Sequence, residues 1–348
     1  MSLTDNKDLV WKEEVKLSTS NQPIVVVCAA DNNYAMPLAV TIRSALENLK
    51  GDRKIVFYII DGGITDFNKQ KILKSLILEK CEVEFIQISD SLIGDITIAH
   101  ESIESKNIAT KAKYVSVASF YRLLIPQLLP EQLEKVIYLD CDLVVKGDLE
   151  QLWQTDLGEN YVLAVRDTWI PSISSPTGRL NHQKLGLKPD SQYFNAGVLV
   201  INLRKWRTDD FSPKAIKYFR QNLEYIGWYD QGLLNALLVG QWGQLDPKWN
   251  FNATSFYNYS SENYLSWKDS ESLLSEDIYN ELVRHPYIVH FVSEKKPWTS
   301  RYTPRKADFF EYVDKTSWTG WRLTLWRRLW RRLVLVYKAK TVMRRISS

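Results

Sequence analysis

The sequence predicts an α/β protein built around one largely parallel β-sheet. Short apolar runs rich in β-branched residues alternate with segments of helical period, which is the pattern of βαβ units. Several of these runs end in Asp, Asn or His, and open parallel sheets bind ligands at the carboxyl ends of their strands. With 348 residues, 45% of them apolar, the chain can bury a sizeable core and form one large domain or two modest ones.

The first half of the chain shows the clearest alternation of elements. Residues 24–30, IVVVCAA, are a continuous apolar run of the kind found in strands buried on both faces. Later runs with β-branched and aromatic residues predict further strands, and amphipathic period predicts the helices between them. In chain order we predict strand 24–30, helix 37–49, strand 54–61, helix 65–80, strand 82–88, helix 116–129 and strand 135–140.

Beyond residue 150 the alternation loosens. The prediction there is strand 161–166, strand 196–202, helix 212–225, helix 230–239 and strand 287–291. Residues 168–192 hold Pro, Gly and Ser and predict a loop with one short helix, whereas residues 252–280 have no clear period. Long loops in a compact domain are usually functional unless they are disordered, so we expect these two to form substrate walls or lids.

Composition excludes several classes of protein. The three cysteines, Cys28, Cys81 and Cys141, all lie in apolar, strand-like contexts, which argues against a disulfide framework and a zinc cluster and suits a reducing compartment. Residues 1–22 form a polar leader without the apolar run of a signal peptide. No run of 18 apolar residues occurs, so we expect no membrane-spanning helix and a cytoplasmic protein.

The C-terminal segment differs in charge from the rest of the chain. Residues 318–348 contain nine Lys and Arg and no acidic residue, whereas the remaining residues are net acidic. At helical period, residues 316–348 place Trp and Leu side chains on one face and Arg and Lys on the other. This pattern predicts a helix that binds an anionic membrane surface, here the inner face of the membrane, rather than nucleic acid. The alternative is a helix whose Trp stripe docks on the protein body.

A pair of aspartates follows the strand 135–140. Asp140 and Asp142 are separated by one residue, so alternation points both side chains to the same side. Two like charges there repel unless a cation or hydrogen-bond donor bridges them. Carboxylate oxygens favour Mg²⁺ or Mn²⁺, and a nearby imidazole such as that of His290 favours Mn²⁺. The sequence therefore predicts a metal site formed by these three residues, with Mn²⁺ as the preferred ion and Mg²⁺ as the alternative.

A different reading of the same motif is a phosphatase of the haloacid-dehalogenase type. In such an enzyme the first aspartate, Asp140, would attack phosphorus and the second, Asp142, would handle protons. That family normally carries the motif near the start of the chain, whereas here a full βαβαβ unit precedes it. The position therefore disfavours a phosphatase.

Three further polar clusters each allow a structural and a functional interpretation. Asn195, Ala196 and Gly197 lead into the apolar run of the strand 196–202, as turn residues or as part of a substrate pocket. Asp230 would cap the following helix, and Gln231 in its first turn could point into a cleft. Lysines at 295 and 296 follow the strand 287–291 and could hold phosphate.

The order of these motifs resembles that of glycosyltransferase family 8, the retaining sugar-nucleotide transferases that include glycogenin and bacterial lipopolysaccharide galactosyl- and glucosyltransferases. The shared motifs are AADNNY, SFYRLLIPQLLP, YLDCDLVVKGDLEQLW, YFNAGVLVINLRKWR, YDQGLLN and HFVSEKKPW. The resemblance implies a GT-A fold, a single Rossmann-like nucleotide-binding domain with a mixed sheet, here residues 23–315. It also implies Mn²⁺-dependent transfer of a hexose, galactose or glucose, from a UDP-sugar with retention of configuration.

The resemblance implies roles for the residues at the diphosphate. Asp140, Asp142 and His290 match the family's metal ligands, and Lys296 matches its diphosphate-binding lysine. As the glycosidic bond breaks, negative charge develops on the β-phosphate oxygen. A divalent ion together with Lys296 would offset that charge.

It also implies contacts to the nucleotide and the donor sugar. Asp31, Asn33 and Tyr34 match the uridine-binding segment, with Tyr34 placed to stack on uracil. Arg122 and Asn195 match contacts to the donor sugar and the ribose.

The remaining matches lie at the reacting carbon. Asp167 matches a carboxylate near the acceptor and donor sugar, and Asp230 and Gln231 match the pair that faces the anomeric carbon. Gln231 is a poor nucleophile because an amide oxygen is weakly basic. We therefore expect same-face attack rather than a covalent glycosyl intermediate on the enzyme.

Two residues depart from the family pattern. Ser293 replaces a glycine of H-F-x-G-x-x-K-P-W, and Tyr114 stands where relatives often carry a His that reaches the diphosphate. These departures leave open a non-catalytic protein that binds UDP-sugar at a membrane surface. The sequence motifs do not specify the sugar, the saccharide or lipid-linked acceptor, or the oligomeric state.

Overall fold

The computed structural model describes residues 22–89, 92, 117–254 and 276–327. The leader, Tyr114 and the tail beyond residue 327 lie outside the described residues, as does most of the loop predicted at 252–280. Predictions that concern those parts of the chain remain predictions.

Within the described residues, ten strands form two sheets. The strands are β1 Ile24–Ala30, β2 Ile55–Asp61, β3 Cys81–Gln87, β4 Lys135–Leu139, β5 Leu143–Val145, β6 Val162–Arg166, β7 Phe194–Asn202, β8 Trp242–Gln244, β9 Phe251–Asn252 and β10 Ile288–His290. The main sheet has the order β3-β2-β1-β4-β7-β6-β8, and the small sheet has the order β5-β10-β9. These elements confirm the predicted α/β class.

The helices of the described residues cover the sheet and follow the strand ends. They are α1 Ala35–Asn48, α2 Asp66–Leu73, α3 Ile125–Leu128, α4 Leu149–Trp153, α5 His182–Leu185, α6 Leu203–Thr208, α7 Phe211–Asn222, α8 Tyr229–Leu237, α9 Glu276–Arg284 and α10 Lys306–Val313. None of them is long and apolar enough to cross a membrane.

The main sheet is mixed and mostly parallel. Strands β3, β2, β1 and β4 run parallel, whereas β7 is antiparallel to both β4 and β6. The central strands β1 and β4 are almost fully buried because both of their faces are covered, whereas the edge strand β3 is mostly exposed or half-buried. Their carboxyl ends meet at one edge, which brings the polar residues after β1, β2 and β4 together.

An irregularity between β6 and β7 shapes the region next to that edge. The register shifts between Ala164 and Val165, so that Ala164 pairs with Leu199 but Val165 pairs with Asn195. The residues of β7 between these pairs are therefore released from β6, as expected for a bulge. The backbone N–H groups of Ala196 and Gly197 are instead used by side chains described below.

The small sheet fixes the chain after β4. Strand β10 is antiparallel to β5, and Val289 pairs with Val144. Helix α1 packs against β5, and its Thr41 Oγ1 donates to the carbonyl oxygens of Cys141 and Leu143 at 3.0 and 2.9 Å. The turn that carries the paired aspartates is thus held from both sides.

Several predicted boundaries were wrong. The helix predicted at 65–80 ends at Leu73, and the chain then tightens into turns in which Ser75 N donates to Ile72 O and Leu76 N donates to Leu73 O. The helix predicted at 116–129 is a 3₁₀-helix over Val117–Leu124 followed by the short α3, which has Pro126 in its first turn. Strands β5, β8 and β9 and helix α10 were not predicted, since each is short or lacks clear period.

Candidate active site at the carboxyl end of β4

The paired aspartates lie just beyond β4, on the turn into β5. Asp142 is buried, and Asp140 is partly exposed. Phe291 N donates to Asp142 O at 3.0 Å, which brings the last residue of β10, His290, beside the turn. His290 Nε2 lies 3.3 Å from Asp142 Oδ1 and 3.8 Å from Asp140 Oδ2. The three side chains predicted as metal ligands are therefore brought together.

Asp140 is held by a buried arginine. Arg122 Nη2 lies 2.8 Å from Asp140 Oδ1, and Arg122 Nε lies 3.0 Å from Asp230 Oδ2. Arg122 Nη1 also donates to Ala196 O at 2.5 Å, and its guanidinium stacks on the ring of Tyr138, which donates to Asp140 at 3.0 Å. Burial raises the pKa of Asp230, an effect that Arg122 opposes and Asp140 reinforces.

Asp142 is held by Lys296, whose Nζ donates to Asp142 Oδ2 and to Phe291 O. Burial would raise the pKa of Asp142, but the charge of Lys296 beside it outweighs burial and holds that pKa well below its usual range. Each carboxylate of the pair thus has a cationic partner within the chain. The sequence predicted compensation by a bound cation and did not anticipate these two ion pairs.

A second group of side chains surrounds Asp167, which is buried beyond β6. Asp167 Oδ1 accepts from the backbone N–H groups of Trp169 and Ile170 at 2.7 and 3.1 Å. Its Oδ2 accepts from Asn195 Nδ2 at 3.0 Å and from Gln231 Nε2 at 3.1 Å. Gln231 Oε1 accepts from Ala196 N at 3.1 Å, so hydrogen bonds fix both ends of this amide.

The residues after β1 are more exposed. Asp31 Oδ1 accepts from Asn33 N and Tyr34 N at 2.8 and 3.2 Å, which makes it the N-cap of the short 3₁₀-helix Asn32–Tyr34. Tyr34 packs edge-on against Trp298 with ring centroids 5.8 Å apart. Burial raises its pKa, and the charge of Asp142 raises it further, which places Tyr34 near the paired aspartates.

The cluster fits a hard divalent cation. One ligand atom each from Asp140, Asp142 and His290 lie within 4.8 Å of one another. Gly197 leaves the space between them open, because a Cβ there would lie 2.2 Å from His290 Cε1 and 2.9 Å from Asp140 Oδ2. Two carboxylates and an imidazole are a suitable ligand set for Mn²⁺ or Mg²⁺.

Sequence reasoning missed several contributors to this site. Asn250, in the 3₁₀-helix Pro247–Asn250, contacts His290 and Asn195, yet no motif drew attention to it. Tyr138 was assigned only as a strand residue. Gly197 was noted as a turn residue, although its role is to leave room for neighbouring side chains. Ser293, which departs from the family pattern, accepts from Lys295 N at 3.2 Å and closes the turn after β10.

Comparisons with known proteins agree with this arrangement. The sequence matches the profile of Glycosyl transferase family 8 over residues 25–301. It is 31% identical to General stress protein A of Bacillus subtilis (strain 168) over 297 residues, covering 84% of this chain and 94% of that protein. It is 30% identical to a putative glycosyltransferase of Haemophilus influenzae over 234 residues, covering 67% of this chain and 65% of that protein.

A solved structure has the same fold. The galactosyltransferase LgtC, crystallised with donor and acceptor sugar analogs, superposes with a TM-score of 0.65 at 26% identity. The superposition covers 84% of this chain and 96% of that one.

Proposed function

The chain belongs to glycosyltransferase family 8 and has its GT-A fold, and on that premise we propose that it transfers a hexose, galactose or glucose, from a UDP-sugar to a saccharide or lipid-linked acceptor with retention of configuration. One observation carries this proposal. The acidic cluster Asp140–Asp142–His290 and the amide and carboxylate groups of Asp167, Gln231 and Asp230 share one edge of the sheet and are bridged by Arg122 and Asn195.

Asp140, Asp142 and His290 would hold the divalent cation, Mn²⁺ or alternatively Mg²⁺. When bound there, the ion would supply Lewis-acid stabilisation of charge on the departing diphosphate. Lys296, beside Asp142, provides a second positive charge that a diphosphate attracts. Tyr34 offers its ring to the uracil, with Asp31 and Asn33 forming the capped turn that holds it.

We propose same-face attack at the anomeric carbon. The acceptor hydroxyl oxygen bonds to that carbon, the bond from the carbon to the β-phosphate oxygen breaks, and the hydroxyl proton passes to the departing phosphate oxygen. The hydrogen bonding of Gln231 supports this route, because its Oε1 already accepts from Ala196 N and is weakly basic. Asp230 is buried against Arg122, where it would stabilise positive charge on the sugar.

The test is a donor panel. Purified protein with Mn²⁺ is given UDP-glucose, UDP-galactose, UDP-GlcNAc or UDP-xylose, and UDP release is followed beside an Asp142→Asn variant. We expect slow hydrolysis of one donor, abolished by the substitution or by a chelator. A protein that binds no UDP-sugar and hydrolyses a generic phosphomonoester would contradict the proposal in favour of the phosphatase. UDP and Mn²⁺ binding without turnover, even with membrane-lipid acceptors, would favour a non-catalytic binding protein.

A covalent intermediate is tested separately. Intact-protein mass spectrometry during turnover should show no glycosylated enzyme. A hexose trapped on Asp230 would overturn same-face attack while leaving the transferase assignment standing.

We further propose that the basic tail holds the enzyme at the inner face of the membrane. The described root of the tail packs on the body, since Trp321 stacks on Phe310 and Trp318 lies 4.0 Å from Lys71 Nζ. Beyond this root, Trp326 is 80% exposed. Trp326 is the one described residue of the predicted Trp and Leu face, and its exposure supports a face that is available to a membrane.

Removing residues 328–348 tests the tail while keeping its packed root. We expect the full chain to sediment with anionic liposomes and the truncated chain to remain in the supernatant with unchanged donor hydrolysis. Replacing Arg331 and Arg332 by lysine is the matched control and should preserve sedimentation, since charge is retained. Equal sedimentation of the full and truncated chains would refute the anchor.

A further inference from the structure

The ring of His290 is held by an asparagine that none of the sequence motifs identified. His290 Nδ1 lies 2.8 Å from Asn250 Oδ1, and both residues are buried. The second nitrogen, Nε2, faces the paired aspartates. Which of the two ring nitrogens carries the proton decides whether Nε2 offers a lone pair to a metal ion.

The orientation of the neighbouring amides can be derived from a backbone group. Gly197 N–H is a donor only, and it lies 3.0 Å from Asn195 Oδ1, so this atom must be the carbonyl oxygen. The other end of the Asn195 amide, Nδ2, then donates to the carboxylate of Asp167 at 3.0 Å, which accepts only. The orientation of Asn195 is thus determined at both ends.

The same reasoning determines Asn250. One end of the Asn250 amide lies 2.9 Å from Asn195 Oδ1. Because Asn195 Oδ1 is an acceptor, this end of Asn250 must be the donor, Nδ2. The carbonyl oxygen of Asn250 therefore points to His290. An amide oxygen can only accept, so the hydrogen bond to Asn250 requires a ring proton on Nδ1. A neutral ring that makes this bond presents the Nε2 lone pair to Asp140 and Asp142.

We infer that Asn250, oriented by Asn195, is a positioning residue that holds His290 as the Nδ1–H tautomer and directs the Nε2 lone pair towards Asp140 and Asp142. The inference rests on the proposed function in that it gives the metal ligand its orientation. It assigns Asn195 a role beyond the sugar and ribose contacts implied by the family. Outer hydrogen-bond partners of this kind fix the tautomer and ring orientation of metal-binding histidines.

The amide chain also joins the two halves of the site. It runs from His290 through Asn250 and Asn195 to Asp167, which in turn accepts from Gln231. The orientation of the imidazole and that of the amide beside the reacting carbon are therefore set by one continuous set of hydrogen bonds. Gly197 N–H, which orients Asn195, belongs to the part of β7 that lies between the paired positions of β6 and β7.

A purely structural role would leave the tautomer unaffected. Buried asparagines often do no more than satisfy neighbouring polar groups. In that case replacing Asn250 would lower stability without a specific change in the His290 ring or in metal affinity. The tautomer therefore separates the two interpretations.

The experiment uses the full chain labelled with ¹⁵N-histidine, and only four histidines contribute signals. Long-range ¹H–¹⁵N spectra of the metal-free protein at alkaline pH report which nitrogen of each neutral ring is protonated, and His290→Gln assigns the signal. We expect Nδ1–H for His290 in the native protein. Asn250→Leu should lose this preference, whereas Asn250→Asp, which keeps an oxygen acceptor towards Nδ1, should retain it.

Mn²⁺ titration followed by electron paramagnetic resonance gives the second readout. Asn250→Leu should weaken Mn²⁺ binding about 10- to 100-fold, and Asn250→Asp should preserve it. Asn252→Ala is the matched control, since Asn252 is equally buried and its side chain accepts from Thr254. It should change neither the tautomer nor the affinity.

Two results would overturn the inference. One is an Nε2–H tautomer of His290 in the native protein, and the other is an unchanged tautomer in Asn250→Leu. If Asn250→Leu does not fold, loss of the Nδ1–H tautomer in Asn250→Asp contradicts the inference. Failure of the proposed function is distinguishable, because a native protein that turns over no donor and binds no Mn²⁺ still reports its tautomer.

Discussion

Strand β2 ends in Asp61 and strand β4 is followed directly by Asp140, but the carboxylates at the two strand ends have different hydrogen-bond and ion-pair partners. At the end of β2, Asp61 Oδ1 accepts from Gly63 N and Ile64 N at 2.9 and 2.6 Å. Its Oδ2 lies 2.6 Å from Lys69 Nζ and 2.5 Å from Gln87 Nε2. At the end of β4, no backbone N–H of the described residues donates to the carboxylates of Asp140 or Asp142, which face Arg122, His290 and Lys296 instead.

This difference in hydrogen-bond partners indicates that Asp61 has a structural role, whereas Asp140 and Asp142 are available to a ligand. Asp61 closes its own turn with donors that lie within 26 residues of it. Asp142 depends on Lys296, which is 154 residues away. A lysine side chain is flexible and can change partner, whereas a backbone N–H cannot. We therefore expect changes at the end of β4 to alter catalysis and changes at the end of β2 to alter stability.

The largest effect is expected from Gly197→Ala. The added Cβ would lie 2.2 Å from His290 Cε1 and 2.8 Å from His290 Nδ1, so the imidazole must move. Loss of a metal ligand's position removes several kcal/mol of transition-state stabilisation, and we expect donor turnover to fall about 100-fold or more. Steady-state UDP release measures the turnover, and Mn²⁺ titration measures the metal affinity.

Gly51→Ala is the control for this substitution. Its added Cβ would also meet a close atom, Glu150 Oε2 at 2.6 Å, but that atom is the end of a flexible side chain far from the site. Gly51→Ala should keep full turnover. Normal turnover in Gly197→Ala would show that the space between the three side chains is not needed.

A smaller effect is expected from Lys296→Met. The substitution removes the cation beside Asp142, and a charge-assisted hydrogen bond to a diphosphate contributes about 1.5–3 kcal/mol. We therefore expect kcat/KM for the donor to fall roughly 10- to 100-fold. Lys295→Met, at the adjacent exposed lysine, is the matched control and should change kcat/KM for the donor little. Equal losses in the two variants would argue against a specific role for Lys296.

The two strand ends also show how much of the molecule the sequence predicts. The parallel strands β1 to β4 were predicted closely, because runs rich in β-branched and aromatic residues are a local feature of the sequence. The grouping of Asp140, Asp142 and His290 was predicted from the spacing of the two aspartates together with the family resemblance. His290 joins it through the pairing of β10 with β5, a contact between segments that composition and period cannot report.

Contacts between distant segments also explain what was missed. Arg122 neutralises Asp140 from a 3₁₀-helix that was predicted as an α-helix. Asn250 is an ordinary polar residue in a short turn, and only the fold brings it to His290. Asp61 was assigned only as the end of a strand, although the turn signal Gly62-Gly63 that follows it predicts its local hydrogen bonds.

At the end of β2, Asp61→Asn should lower stability without lowering turnover. The side chain of Asp61 is 1% exposed, and the substitution leaves Lys69 without its ion-pair partner. We expect a loss of about 1–3 kcal/mol in the free energy of unfolding, measured by urea denaturation, with unchanged kcat/KM. Asp52→Asn, at an exposed aspartate, should leave both quantities unchanged. A catalytic defect in Asp61→Asn would erase the distinction between the two strand ends.

The smallest effect is expected in the contribution of Asp61 to the pH dependence of the free energy of unfolding. Burial would raise its pKa, but hydrogen bonds from Lys69, Ile64 N and Gly63 N outweigh burial and lower the pKa in the folded state. A carboxylate with a lowered folded pKa stabilises the protein above its unfolded pKa of about 3.9, and this contribution is lost as pH falls through the folded value. The stability difference between the native chain and Asp61→Asn should therefore be constant from neutral pH to about pH 5 and shrink below about pH 4. Urea denaturation across this range measures the difference, and a gap that widens towards acid would mean that the ionised carboxylate destabilises the fold.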